Sequence, residues 1–422
     1  VAFVKKNEEF YAPTIELATH ESWRAYQDEL ASRAFVLARD HAKELERRLR
    51  DSGISLGSVD SVSELGSVPV LSKDALPELQ AEDPPFGGLL AVAKSELRRV
   101  YCSPGPIFDP EGDGPDYWGF APALFAAGFR PGASVYNTFS YHLTPAGAMM
   151  EEAAFALGCT VVPGGVGATE AQAEFLSKSG ASCFCGTPSF LLVLCDRVRH
   201  AGHAHSLERA FVSGAPLSES LRAELEEQEG ISVLQGYGTA DAGALGYECT
   251  EKNGWHVAPG RVIEIVDPAS GKRLPDGRTG EVVVTSPNEV YPLVRFGTGD
   301  LSAIASDACA CGRTTPRLLG FQGRVGEGVK VRGQFVHPRS IERGLLRACD
   351  SVPLYRAVVT AADHRDELVV RVAAEGVARS SSEAELAKYV SEELRLRVEV
   401  HVVPTGQIEE SAPLIRDDRR WT

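Results

Sequence analysis

Apolar residues recur at three and four positions across residues 15–50, through the run ESWRAYQDELASRAFVLARDHAKELERRLRDSG, and Gly53 closes it. That period lays one apolar stripe along a helix, and a glycine is a natural stop. From residue 115 the pattern changes. Tyr117–Phe129 reads as helix, Ser134–Thr138 as a short buried strand, Pro145–Leu157 as a helix of small apolar residues, and CTVVPGG, 159–165, as a strand ending in a turn. At 210–227, AFVSGAPLSESLRAELEE reads as strand, glycine turn and helix, with Ser218 as N-cap. Short apolar runs alternating with helical ones predict an α/β fold, a parallel sheet with covering helices. After Arg324 the order becomes strand–helix–strand–strand–helix–strand, a small α+β unit of about 95 residues. The boundary expected from this change gives a large domain, 1–323, and a small one, 324–422.

Composition narrows the partners. A chain of 422 residues is expected to hold roughly two to three domains. The formal charge of −15 argues against non-specific binding to nucleic acid or an anionic membrane, but leaves room for a small anion in a local pocket. No run approaches the length of apolar chain that spans a bilayer, and VAFVKKNEEFYAP does not read as a secretion signal, so a cytoplasmic location is expected. Nine cysteines form no even framework and favour reduced thiols. Cys249 and His256 lie seven apart, and Cys309 and Cys311 two apart. Three thiols and an imidazole are the donors of a closed structural zinc site. The alternative is four unlinked residues buried as small side chains.

The densest signal lies at Tyr291–Gly333, YPLVRFGTGDLSAIASDACACGRTTPRLLGFQGRVGEGVKVRG. A strand end turns on Gly297-Thr298-Gly299 and presents Asp300, and a second glycine-rich turn follows at Gly323–Gly328. This segment resembles the adenylate-forming ligases, and most closely the phenylacetate–CoA ligase family. The resemblance runs in order along nearly the whole chain, through SVSELGSVPVLSKDAL (61–76), FSYHLTPAG (139–147), VVPGGVGATEAQ, CGTPSFLLVL and VLQGYGTADAG (233–243) to VKVRGQFVHPRSIE. It implies a large AMP-binding domain and a small mobile C-terminal domain hinged at Gly323-Arg324, with Arg324 also a catalytic and nucleotide-binding residue. Asp300 would hold the ribose hydroxyls of ATP or AMP. Gly236-Tyr237-Gly238-Thr239, matching the family's YGxTE, would place Tyr237 on adenine and Thr239 at the α-phosphate, with Asp241 binding Mg²⁺. Gly214-Ala215-Pro216 would meet the adenine, and Tyr141, His142 and Ala240 would line the acyl pocket. The junction at 236–243 is expected to be strand, glycine and helix. Cys249, His256, Cys309 and Cys311 match a pairing that some relatives use for zinc.

The departures bear on catalysis. The phosphate-loop position, LRRVYCSPGPIFDPEGDG, holds three prolines and the acids Asp109, Glu111 and Asp113, and no lysine lies between Lys94 and Lys178. Prolines remove donors and acids repel phosphate, so this is a poor polyphosphate cradle. The acid usual after Gly214 is missing, Glu327 alone keeps an acid in the hinge, and the terminal catalytic lysine falls on Leu414, near Ser411, with Arg416 the nearest cation. Lys73 reads as a surface charge. The resemblance thus implies an ATP-dependent ligase joining a small carboxylic acid, with an aromatic ring as the leading class, to coenzyme A through an acyl-adenylate, in an enzyme whose relatives are often homodimers. Two alternatives stay open: a weakened relative that binds nucleotide or acyl ligand without adenylation, and an acyltransferase that takes a preformed activated acyl group.

Overall fold

The computed structural model describes residues 9–55, 57–326, 329–332, 334–336, 338–362, 365–376, 382–394, 396–409 and 413–419. Glu327, Gly328, Gly333 and Ser411, singled out above, lie outside them. The chain divides into two compact units, Val1–Leu217 with Arg222–Gly323, and Ser218–Leu221 with Arg324–Thr422.

The strands of the first unit are Leu71–Ser72 (β1), Arg99–Ser103 (β2), Ile107–Glu111 (β3), Ser134–Asn137 (β4), Thr160–Pro163 (β5), Cys183–Gly186 (β6), Arg209–Val212 (β7), Ser232–Thr239 (β8), Gly243–Tyr247 (β9), Trp255–Val257 (β10), Val262–Val266 (β11), Gly280–Ser286 (β12), Leu293–Ser302 (β13) and Arg317–Leu318 (β14). An eight-stranded sheet runs β14-β10-β9-β8-β7-β6-β4-β5. It is parallel from β5 to β8 and antiparallel from β8 to β14. The inner parallel strands β4, β6 and β7 are apolar and buried along nearly their whole length. Cys183 and Cys185 sit buried on β6 as part of that core. A second sheet, β1-β13-β12-β11, has β1 parallel to β13.

Three local readings need correction. The long N-terminal helix is two, His20–His41 and Lys43–Asp51, broken at Ala42, whose backbone is extended. Tyr117–Phe129 is helical only over Ala121–Ala126, because Gly119 and Gly128 take left-handed backbone conformations. The segment after β8 is not a helix but a turn into the antiparallel strand β9. Gly243 makes that turn with φ +72°, and a Cβ there would overlap the Trp118 carbonyl.

The second unit adds Val329–Val331 (β15), Gln334–Val336 (β16), Tyr355–Ala362 (β17), Arg365–Ala373 (β18), Glu399–Val403 (β19) and Ile415–Asp417 (β20). Its sheet runs β19-β18-β17-β20, with β15 and β16 as a separate hairpin. Helices Pro338–Leu346 and Glu383–Leu394 contribute Ile341, Leu345, Leu386 and Val390 to its own core. The final strand β20, parallel to β17, was not legible in the sequence. Among the described residues no helix is long and apolar enough to cross a membrane.

Candidate functional site

Two strands from different sheets bring the central candidates together. β8 carries Gly236–Thr239, and β13 carries Gly297–Asp300. The Tyr237 hydroxyl donates to Asp300 Oδ2 at 2.9 Å, with Thr298 Oγ1 3.1 Å away. Thr298 in turn donates to the Val282 carbonyl and accepts from the Asp300 amide at 3.1 Å, which fixes the turn. Gly299, at φ +75°, takes a left-handed conformation that a side chain would strain, and its amide donates to Glu281 at 3.1 Å. Trp255 stacks on one face of the Tyr237 ring, with centroids 5.3 Å apart and planes at 20°. The Thr239 hydroxyl oxygen accepts the Ala242 amide at 3.1 Å.

Asp241 follows this segment, and its side chain is fully buried. Its Oδ2 lies 2.5 Å from the ammonium of Lys73. Lys73 is therefore not the free surface charge expected, but a partly buried cation beside the nucleotide candidates. Their separation of 168 residues left no local signal. Asp241 Oδ1 makes no hydrogen bond among the described residues.

The phosphate-loop position is also better defined than the sequence suggested. It is a hairpin, β2 paired with β3, turning at Pro104-Gly105-Pro106. Glu111 does not face the loop: it accepts from Arg99 at 2.6 Å and from Tyr101 at 2.8 Å. Asp109 is buried, Ser103 approaches it, and its oxygens complete no hydrogen bond among the described residues. Burial, reinforced by the nearby Asp241 carboxylate, pushes Asp109 up to about 8.

The other candidates are scattered around the ends of the parallel strands. A Cβ on Gly214 would lie 3.5 Å from Phe139 and 3.9 Å from Thr187, so the turn after β7 faces those residues. Ala215, Pro216 and Ala240 are half-buried. Tyr141 donates to Glu151 at 3.0 Å and accepts from Asn137 at 2.8 Å, which locks its ring. His142 is exposed. Arg324 opens the second unit. In that unit Leu414 packs against the apolar core, and Arg416 pairs with Asp418 at 2.7 Å.

Cys249, His256, Cys309 and Cys311 do converge, with all donor atoms within 4.8 Å of one another. Cys249 and Cys309 sulfurs are 3.6 Å apart, and Cys311 Sγ is 3.4 Å from His256 Nε2. A tetrahedral zinc with ordinary bond lengths sets edges of about 3.8 Å between sulfurs and about 3.5 Å between sulfur and nitrogen. His256 Nδ1 donates to the Thr315 carbonyl at 3.1 Å, which leaves Nε2 as the ligating nitrogen. Burial lowers His256 to about 4, keeping it neutral, and pushes Cys249 up to about 12, so a thiolate there requires a cation. The donor set fits zinc.

Comparisons with known proteins give matches in both compact units. Residues 123–291 match the AMP-binding enzyme model, and 333–416 the AMP-binding enzyme C-terminal domain. The phenylacetate–coenzyme A ligase of Thermus thermophilus is 32% identical over 86% of this chain and 84% of its own length. That of Pseudomonas putida is 27% identical over 94% of both chains. The crystal structure of 2-hydroxyisobutyryl-CoA ligase with 2-HIB-AMP and CoA superposes with a TM-score of 0.89 at 25% identity, covering 100% of this chain and 96% of that one.

Proposed function

The chain belongs to the phenylacetate–coenzyme A ligase family of AMP-binding enzymes, and from that premise we propose that it joins a small carboxylic acid to coenzyme A with ATP, through an acyl-adenylate. The observation that carries this reading is the Tyr237–Asp300 hydrogen bond, which links the two motif segments at one place. A carboxylate held there accepts two ribose hydroxyls, and the Tyr237 ring offers a face to adenine. Asp241, with a buried oxygen that makes no hydrogen bond among the described residues, fits Mg²⁺ beside the phosphates. Magnesium supplies charge neutralisation there. In the first half-reaction a carboxylate oxygen of the acid attacks the α-phosphorus, and pyrophosphate leaves with the bonding electron pair. In the second the coenzyme A sulfur attacks the acyl carbon, and AMP leaves.

The reading includes residues 1–323 as the AMP-binding domain and 324–422 as a mobile C-terminal domain, which the two compact units support. It includes an aromatic acid as the leading substrate, with Tyr141, His142 and Ala240 at the acyl pocket, a cytoplasmic location and a homodimer. The test is pyrophosphate release and thioester formation with magnesium, ATP and coenzyme A on acetate, 2-hydroxyisobutyrate, benzoate, phenylacetate and 4-hydroxyphenylacetate. Acid-dependent pyrophosphate in step with thioester is expected; none from any acid overturns the reading. One observation favours nucleotide binding without adenylation instead: Leu414 is packed in apolar surroundings where the family has its lysine. AMP binding without pyrophosphate release is the result that reading expects.

A structural zinc at Cys249, His256, Cys309 and Cys311 is part of the same proposal. Mass spectrometry of the metal is expected to find one zinc per chain and its loss from Cys311→Ser. Stripping it is expected to lower Tm and leave the KM for the acid unchanged. A metal-free protein of unchanged Tm overturns a structural role.

A further inference from the structure

We propose that Lys73 supplies the ammonium that stabilises the adenylation step, from the large unit rather than from the C-terminal one. The inference rests on the ligase reading and deepens it. Adenylation concentrates negative charge on the α-phosphate and on the departing pyrophosphate, and a fixed cation at that point lowers the barrier. The chain has no lysine in the hairpin that replaces the phosphate loop. The Leu414 side chain is apolar and packed against the core of its own unit, and Arg416 is held by Asp418 through two contacts, at 3.0 and 2.7 Å. An ammonium for the step must therefore come from elsewhere in the chain.

Lys73 is placed for it by backbone pairing. β1 runs parallel to β13 with Leu71 opposite Phe296 and Ser72 opposite Gly297. The chain therefore leaves the sheet alongside the turn that presents Asp300. Ser72 accepts the Asp74 amide at 3.3 Å and starts a short 3₁₀ turn. That turn sends the Lys73 ammonium 2.5 Å from Asp241 Oδ2, while about a fifth of the side chain, 22%, stays open to solvent. The ammonium is thus desolvated enough for its charge to be felt and open enough to meet a ligand.

Lys73 faces two buried carboxylates, Asp241 and Asp109, and both influence the same pocket wall at Tyr291. In the step proposed, the acid's oxygen forms its bond to the α-phosphorus and the bond to the β-phosphate oxygen breaks. Lys73 keeps its proton throughout and acts by charge.

The test separates the half-reactions, using whichever of the five acids above wild type activates fastest and that acid's synthetic adenylate. Lys73→Met is expected to slow pyrophosphate release by about 10²–10³ in kcat. Consumption of the supplied adenylate with coenzyme A is expected to stay within about threefold of wild type. Ethylamine added to Lys73→Ala is expected to restore part of the pyrophosphate release, which a merely structural lysine would not allow. Unchanged pyrophosphate release in Lys73→Met, or equal losses in both half-reactions, overturns the inference. If Lys73→Met does not fold, Lys73→Gln, which also removes the charge, decides by the same criterion: a loss confined to adenylation supports it, and an equal loss or none overturns it. Pyrophosphate from no acid with wild type overturns the ligase reading itself, a distinguishable result.

Discussion

Replacing Asp300 with alanine is expected to weaken AMP binding by about 10²–10⁴-fold, because two charge-assisted hydrogen bonds to ribose hydroxyls are each worth roughly 1.5–3 kcal/mol. Asp300 lies on a turn that its own side chain does not build. The Thr298 hydroxyl and Gly299 amide fix the backbone through Val282 and Glu281. Loss of the carboxylate leaves that turn in place but deletes the Tyr237 hydrogen bond, so a modest fall in Tm should accompany a much larger fall in nucleotide affinity. Asp300→Asn keeps one acceptor and should cost about tenfold. Tyr237→Phe removes the hydroxyl that orients the carboxylate and should cost less than Asp300→Ala. Calorimetry of AMP with magnesium measures all three. An Asp300→Ala protein that binds AMP as wild type does would place the ribose elsewhere.

What the sequence shows and what it hides follow from how far a signal reaches along the chain. The helix Ala146–Ala156 and the strands β4 and β7 were legible because burial leaves nearly unbroken apolar runs. The thiol–imidazole group was legible because each half is a short pair, although only the fold brings β10 and the 309–311 turn together. The hairpin of β2 and β3 was hidden by Pro104, Pro106 and Pro110, which read as loop. Pro110 is tolerated because this is a two-stranded ribbon, in which an edge position needs no amide donor. The residue with the largest consequence for chemistry, Lys73, lies in a segment that resembles the family, SVSELGSVPVLSKDAL, but nothing near it in the sequence shows what its charge meets. Its role appears only when β1 pairs with β13, and a two-residue strand is too short for any periodicity.

The same strand β13 depends on a buried cation that can be tested without any ligand. Arg295→Met is expected to lower stability by about 3–5 kcal/mol, the cost of leaving one member of a buried ion pair alone. Arg295 is 2% exposed and sits at φ +49°. Its guanidinium donates to Glu264 at 3.0 Å, to the Gly66 and Val68 carbonyls at 3.2 and 2.6 Å, and to the Gly271 carbonyl at 2.7 Å. It therefore ties β13 to β11 and to the segment that leads into β1, and so sets where Asp300 and Lys73 emerge. Burial raises Glu264 above its ordinary value, and Arg295 opposes that rise. Without the guanidinium the Glu264 carboxyl favours its protonated form more strongly. A group whose folded pKa is raised gives stability that is complete below its unfolded value and is lost as pH climbs. The deficit of Arg295→Met should accordingly shrink from pH 8 toward pH 5, and Arg295→Met with Glu264→Gln should recover part of it at pH 8. Calorimetric Tm across that range is the measurement. A deficit independent of pH, and unchanged by Glu264→Gln, would assign the loss to the three unpaired carbonyls and not to the stranded carboxylate.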